Sequence, residues 1–478
     1  MGDATPMEHR PAKIERRASK TLPAFKPRSP RTELYERGRL LRNRCPRRAH
    51  ATWRCPADRA EPVHLLRESS AGRIPELVPV RYGRMLRSPF TFYRGAALNM
   101  AADLASTPVS GVRVQACGDC HLSNFGAFAT PERRVVVDIN DFDETLPAPW
   151  EWDVKRLAAS FVLASRDNGH GHRHARDAAL ACVRAYRERM AELSEMNVLD
   201  VWYASIDLEQ VIPMVREAVT RARARKRLAK ARSRSVLEHD LPQLVTTAGP
   251  ALTIKENPPL VFHPHERSQE AFLATVRRAF ASYRESLPEH HQLLLDRYEL
   301  VDIAIKVVGV GSVGTRCSVM LMMAGESDPL FLQIKEARRS VLEPHAGKSA
   351  YANHGQRVVM GQRRMQTASD LFLGWTEAFQ HRDYYVRQLR DMKIKPLVEL
   401  FPPGVMIQYA NLCGGILARA HARCGEPALI SGYLGRSDKF DEAIADFAVA
   451  YADQAERDHR AFDRAVRAGK VEVILEGA

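Results

Sequence analysis

The sequence has no apolar run of 18 residues, so nothing in it is long enough to cross a bilayer as a helix. Its first ten residues lack the basic-then-apolar order of a secretory signal, which makes the cytoplasm the expected compartment. Cysteine is scarce, eight in 478 residues, which excludes a disulfide scaffold and fits thiols kept reduced. Cys117 and Cys120 form C-G-D-C-H, spaced as half a zinc site or a redox pair, but no second C-x-x-C completes a tetrahedral shell. Cys45 and Cys55 flank His50 in an Arg-rich stretch, a second incomplete zinc clip. No repeat recurs at solenoid periods.

What is present is an enzyme-sized soluble composition, 45% hydrophobic and 27% charged, with length for two or three lobes. The net charge of +14 is concentrated. Residues 1–50 hold 14 Lys or Arg against 5 Asp or Glu, and Arg216–Arg234 holds nine against one, so the rest of the chain is slightly acidic. Residues 1–60 therefore read as a basic, disordered tail, with weak nonspecific contact to anions or nucleic acid through residues 1–50 as one use of it. The second run interleaves Ala and Leu and reads as the exposed end of a helix.

Helix is expected over Leu65–Ala105, with Ser88-Pro89 marking a helix start. Val112–Cys117 and Arg134–Ile139 read as short strands, with loops at 119–126 and 140–150. Trp152–Asn168 and Arg173–Ser194 read as long amphipathic helices, and helix continues to about Arg284 with a Pro-interrupted excursion at 242–264. From residue 300 the pattern turns to strands: Val301–Val308, Thr315–Met323, Leu330–Ile334 and later Tyr384–Leu389. Helices over Met406–Arg423 and Lys439–Ala468 close the chain.

Two constellations carry chemistry. Gly309, Gly311 and Gly314 lie in G-V-G-S-V-G, and a strand rather than a helix follows, so the glycines bend a hairpin. A Rossmann turn is thereby disfavoured, and a loop that brings backbone N–H groups and Ser312 to phosphates is favoured. Such a site needs a lysine on the third strand. Lys335 stands there, with Glu336 or Glu343 as its expected carboxylate partner. Upstream, Gly118-Asp119-Cys120-His121-Leu122-Ser123-Asn124 is followed by Asp141-Phe142-Asp143. Phosphoryl transfer needs one carboxylate for the acceptor hydroxyl, plus an Asn and an Asp to hold Mg²⁺. Asp119 is the candidate for the first role and Asn124 with Asp141 for the second. Asp143 is a further metal candidate because Asp138, Asp141, Asp143 and Glu144 crowd one turn and repel unless a cation neutralises them. His121 is placed in support of the catalytic loop.

Gly118–Asp153 resembles aminoglycoside phosphotransferases and choline kinases, whose H-G-D-x-H-x-x-N, D-F-D-like and D-L-A elements match Gly118–Asn124, Asp141–Asp143 and Asp153. Cys117 departs from their usual His. More widely, GDCHLSNFG, NDFDETLPAPWEWDVKRLAAS, KVVGVGSVGTRC, QIKEA and ARAHARCG resemble a bacterial family of unknown function, DUF2252, over about residues 60–470. The resemblance implies an α+β, protein-kinase-like two-lobed fold with ATP and Mg²⁺ as cofactors. The catalytic loop precedes the glycine loop here, so the order is circularly permuted, which a cut in a surface loop permits. The expected lobes are 61–299 (helical, with the catalytic and metal loops), 300–395 (β-rich, nucleotide-binding) and 396–478 (helices completing the large lobe). The activity implied is phosphoryl transfer to an unidentified small-molecule or protein acceptor. A nucleotide-binding pseudokinase and a nucleic-acid-associated protein acting through the tail are the alternatives.

Overall fold

The computed structural model describes residues 29–233, 241–248, 251–263, 269–307, 309–389 and 392–476. Five helices open it: α1 (Arg31–Leu41), α2 (Pro62–Ser70), α3 (Val78–Leu86), α4 (Pro89–Gly95) and α5 (Ala97–Ala105). The Ser88 hydroxyl accepts from the Thr91 N–H and the Thr91 side chain answers the Ser88 N–H, with Pro89 at the first helical position, so α4 begins where the sequence indicates. Two antiparallel ribbons follow, β1 (Arg113–Ala116) on β4 (Leu146–Pro149) and β2 (Phe125–Ala129) on β3 (Val135–Ile139). Part of the loop expected over 140–150 is thus strand β4, its pairing with β1 set by distant rather than local residues.

Helices α6 (Trp150–Asp167) and α7 (His172–Glu195) are the long pair the sequence predicts. Sixteen of the 18 residues of α6 are buried, which makes it the central rod of the helical body. After α8 (Val198–Tyr203) and α9 (Leu208–Val211), the basic run forms α10 (Ala218–Arg232), a helix burying only Leu228 and Ala231. The excursion at 242–264 contains α11 (Leu241–Leu244) and strands β5 (Val245–Ala248), β6 (Ala251–Ile254) and β7 (Val261–Phe262). Helices α12 (Gln269–Glu285) and α13 (Glu289–Leu295) then lead into strands β8 (Glu299–Lys306), β9 (Cys317–Met323) and β10 (Pro329–Ala337). Next come α14 (Glu343–Ala346), α15 (His354–Met365), β11 (Gly374–Ala378) and β12 (Arg382–Gln388). Helices α16 (Pro403–Cys424), α17 (Pro427–Leu434) and α18 (Lys439–Arg467) finish the chain.

One antiparallel sheet runs β11-β12-β10-β9-β8-β7. β10 is central, paired to β9 on one side and β12 on the other. Because successive strand residues face opposite ways, Leu332 and Ile334 pack with Tyr283 of α12, while Gln333 and Lys335 face the helical body. The observed class is α+β. β11 escaped the sequence reading because Gly374-Trp375-Thr376-Glu377-Ala378 is too short to show a period.

The disorder expected over residues 1–60 does not hold for residues 29–60, which carry α1 and a 3₁₀ turn at Arg47–Ala51; residues 1–28 lie outside the described residues. Helix α1 packs directly on α17: a Cβ built on Gly38 would stand 2.0 Å from the Leu429 carbonyl oxygen, and one on Gly432 2.0 Å from that of Tyr35. Several tail arginines are likewise engaged. Arg42 and Arg47 donate to the carbonyls of Gly432, Tyr433 and Leu434 at the C-terminus of α17, where the helix dipole favours cations. Arg31 donates to the carbonyls of Glu195 and Met196. Among the described residues, no helix is long and apolar enough to cross a membrane.

Candidate functional site

The loop after β1 is held from below by Asp153 on the first turn of α6. Its carboxylate accepts the N–H groups of Cys117 at 2.6 Å and Gly118 at 3.0 Å, and lies 3.2 Å from His421 Nε2. Gly118 has φ +85°, and a Cβ there would sit 2.3 Å from the Glu144 carbonyl oxygen, so only glycine fits. This turn presents Asp119. The Asp119 Oδ1 atom takes both contacts from Arg156, one turn of α6 beyond Asp153, with Arg156 Nε at 2.6 Å. Oδ2 is left with His121 Nε2 at 3.9 Å, beyond hydrogen-bond reach. Burial pushes the Asp119 carboxyl up, against the pull of Arg156 and Arg94.

His121 is buried, and burial together with Arg94 and Arg156 keeps its ring neutral. Its backbone braces the loop: its N–H donates to the Asp119 carbonyl and its own carbonyl accepts from the Asn124 N–H. The Asn124 amide donates to the Asp119 carbonyl at 2.7 Å, which fixes the side chain.

The acidic turn lies alongside, tied to Asn124 through the Asn140 N–H at 2.7 Å from the Asn124 carbonyl. Its acids separate into distinct roles. Asp138 is fully buried, ion-paired to Arg419, and accepts the N–H groups of Ile139 and Thr367, so it is structural. Glu144 accepts the Val341 N–H at 2.7 Å, and burial raises its carboxyl to about 7. Asp141 accepts only the Asp143 N–H, at 3.3 Å, and has no ion pair among the described residues. Burial, then repulsion by Asp143, pushes its carboxyl up. Asn124 and Asp141 therefore retain the oxygen donors that suit a hard divalent cation.

Asp143, grouped with the metal candidates above, has another task. Its Oδ2 lies 2.7 Å from Lys335 Nζ and 3.3 Å from Ser312 Oγ, and its Oδ1 accepts the Tyr385 hydroxyl at 2.6 Å. Although burial acts to raise it, Lys335 and Tyr385 hold this carboxyl below the usual range. Lys335 is held correspondingly above its ordinary range by Asp143, against burial. Its Nζ also stands 5.2 Å from the Tyr385 ring centroid. The expected partners of Lys335 were Glu336 and Glu343, and neither pairs with it. Glu336 points to the other face of the sheet, where it meets Arg316 and Arg382. Glu343 lies in α14 beside Arg339.

The glycine hairpin joins β8 to β9, with Gly309 at φ +70° and Gly314 at φ +83°. Arg73 clamps its outer side by donating to the carbonyls of Gly311 at 2.7 Å and Val313 at 2.6 Å. Val313 is buried against Leu77 and Val80, so the N-terminal helices back the loop. A cavity of ≈ 260 Å³ opens beside Asn124, Asn140 and Asp141, with Asp370, Arg387 and Lys395 on its other walls.

Four participants escaped the sequence reading: Arg94, Arg156, Arg357 and Arg387. Arg357 of α15 donates to the carbonyls of Asp143, Thr145 and Arg338, tying the turn to the sheet. Arg387 donates to the Asn140 carbonyl and to Gln333. Arginine is the commonest charged type here, and no local pattern separates these four from surface copies. The cysteine candidates resolve differently. Cys117, Cys120 and Asp153 come together, all buried, but Asp153 is already occupied by backbone N–H groups and His421, which fits an anchor for the loop. Cys45 is buried with its sulfur 3.6 Å from His50 Nε2, whereas Cys55 is exposed, so the clip does not form.

Neither the curated proteins nor the solved structures contain a match to the chain. One family does match, over a span that includes the loop after β1, the acidic turn, the glycine hairpin and Lys335. Over residues 73–465 the chain belongs to the family described as "Uncharacterized protein conserved in bacteria (DUF2252)".

Proposed function

We propose that the protein is an ATP- and Mg²⁺-dependent phosphotransferase of circularly permuted, kinase-like architecture. One observation carries this reading. A single carboxylate, Asp143, is reached by Ser312 of the glycine hairpin and by Lys335 of β10, residues 169 and 192 positions away in the chain. The two halves of a phosphate-handling site, each weak as a motif, thus share one crevice.

In this reading the hairpin covers the nucleotide phosphates and Lys335 supplies their counter-charge once it turns from Asp143. Asn124 and Asp141 would hold Mg²⁺, whose charge would offset that developing on the transferred phosphoryl group. Asp119 Oδ2 takes the proton of the acceptor hydroxyl as the acceptor oxygen bonds to the γ-phosphorus and ADP leaves with the electrons of the broken P–O bond. Arg156, confined to Oδ1, orients the carboxylate and leaves Oδ2 open. The kinase pattern departs here as well: the lysine is matched by Asp143 of the acidic turn, while Glu343 of the following helix α14 meets Arg339 instead.

The test is turnover. Full-length protein with Mg²⁺ and γ-labelled ATP is expected to form ADP and a labelled product when supplied with a pool of small-molecule hydroxyl acceptors or with itself. Asp119→Asn should lower that rate about 10²- to 10⁴-fold, the usual span for general-base loss, while nucleotide affinity stays unchanged. An Asp119→Asn variant as active as wild type would remove Asp119 from the chemistry. Nucleotide binding without turnover would favour the pseudokinase alternative.

A further inference from the structure

We infer that Arg94 is a phosphoryl-binding arginine, supplied in cis, that recognises the terminal phosphate of the nucleotide; this rests on the phosphotransferase reading above. The argument begins with pairing. Of the charged groups around the crevice, Asp119 is matched by Arg156 and Asp143 by Lys335, while Arg387 donates to Asn140 and Gln333. Asp141 and Arg94, of opposite charge, each lack a direct ion pair among the described residues, and Arg94 also lacks an acceptor for its buried Nε.

Arg94 closes α4, the helix fixed by the Ser88 capping box, and its position is set before any ligand arrives. Its Nε is buried with no hydrogen-bond partner, and the guanidinium carbon lies 5.8 Å from the Phe90 ring centroid. Asp119, Asp141 and Glu399 are the carboxylates whose fields act on it. Its backbone borders the glycine hairpin, since a Cβ on Gly311 would stand 3.4 Å from the Arg94 carbonyl oxygen. Burying a guanidinium nitrogen without an acceptor is costly, and Nε finds none among the described residues. Burial pulls its pKa down, and the surrounding acids act against that without bonding it.

A Mg²⁺–phosphoryl unit answers both vacant charges at once. Its cation suits Asp141, and its non-bridging oxygens suit the planar fork of Arg94. Other nucleotide phosphates are served by the hairpin N–H groups and Lys335, so the share assigned to Arg94 is the terminal one. An arginine aimed at the charge that spreads over the transferred group adds most in the transition state.

The experiment compares ADP with a β,γ-imido ATP analogue, each titrated with Mg²⁺ into full-length wild type, Arg94→Ala and Arg94→Lys, with circular dichroism as the folding control. ADP should bind all three within about twofold. The ATP analogue should weaken about 10- to 100-fold in Arg94→Ala, the scale of one charge-assisted hydrogen bond, and less in Arg94→Lys, which keeps the charge without the fork. Equal weakening of both nucleotides would make Arg94 a structural residue and overturn the inference. So would unchanged binding of both, the result expected if Arg94 serves an anionic acceptor. Wild type binding neither nucleotide would remove the phosphotransferase reading itself, an outcome distinct from a failure at Arg94. Should Arg94→Ala not fold, the ratio of the two affinities in Arg94→Lys decides in the same way.

Discussion

Replacing Asp143 by alanine and Lys335 by methionine should have unequal costs, although both break the same ion pair. The Lys335 side chain is 3% exposed and that of Asp143 is 29% exposed, so the lysine depends on its partner far more than the reverse. Without Asp143 the ammonium keeps only the Tyr385 ring and the field of Asp141. Stranding a buried charge costs about 3–5 kcal/mol, and we expect the lower end, about 3, for Asp143→Ala at neutral pH. Lys335→Met leaves a carboxylate that water reaches and that still accepts the Tyr385 and Ser312 hydroxyls, so about 1 kcal/mol is expected. Urea unfolding followed by tryptophan fluorescence gives both values. The pH dependence provides a second arm. In the wild type Lys335 is held above its unfolded range by Asp143, so its contribution is complete below about pH 10.4 and is lost as pH rises through the folded value. In Asp143→Ala, burial without a counter-ion drops the lysine below that range. The unfolded chain then binds the extra proton, and the variant should regain stability as pH climbs from 7 towards 10. Equal costs for the two substitutions, or an Asp143→Ala deficit that does not shrink with pH, would refute the reasoning.

Two further outcomes follow from other parts of the structure. Burial raises Glu144 to about 7, so its proton is retained longer by the folded chain and stability falls as pH rises from its unfolded value to 7. Glu144→Gln, which preserves the acceptor for the Val341 N–H, should melt progressively higher than wild type between pH 5 and pH 8, and a constant difference would mean that Glu144 ionises normally. Gly432→Ala should cost about 1–3 kcal/mol, the range for overpacking, and render Arg31–Leu41 sensitive to protease, because its new Cβ meets the Tyr35 carbonyl at 2.0 Å.

The elements most legible in the sequence are those whose cause is local. A capping serine before a proline marks α4, and a strand directly after three glycines marks a hairpin whether or not anything is known of the rest of the chain. The candidate site was legible for the same reason, because Gly118, Asp119, Asn124 and Asp141 occur within 24 consecutive residues. What the sequence concealed are contacts set by distance along the chain. The stretch 31–60 is basic and Pro-containing, which reads as disorder, yet small residues at 38 and 432 let two helices touch almost backbone to backbone.

The partner of Lys335 separates the two kinds of knowledge. Glu336 could have been discarded from the sequence alone, since neighbours on a strand face opposite sides and cannot both turn to the helical body. Asp143 could not have been selected, because its claim on Lys335 depends on a helical body built from both ends of the chain closing against the sheet. The same closure accounts for Arg94. An arginine in a short helix near residue 90 has no sequence mark of function, and only the structure shows its backbone bordering the glycine hairpin and its Nε buried without an acceptor. An arginine whose Nε is buried without an acceptor, in the field of Asp119 and Asp141, is a stronger pointer than any motif in the chain, because an unmade bond at a buried donor costs the fold stability.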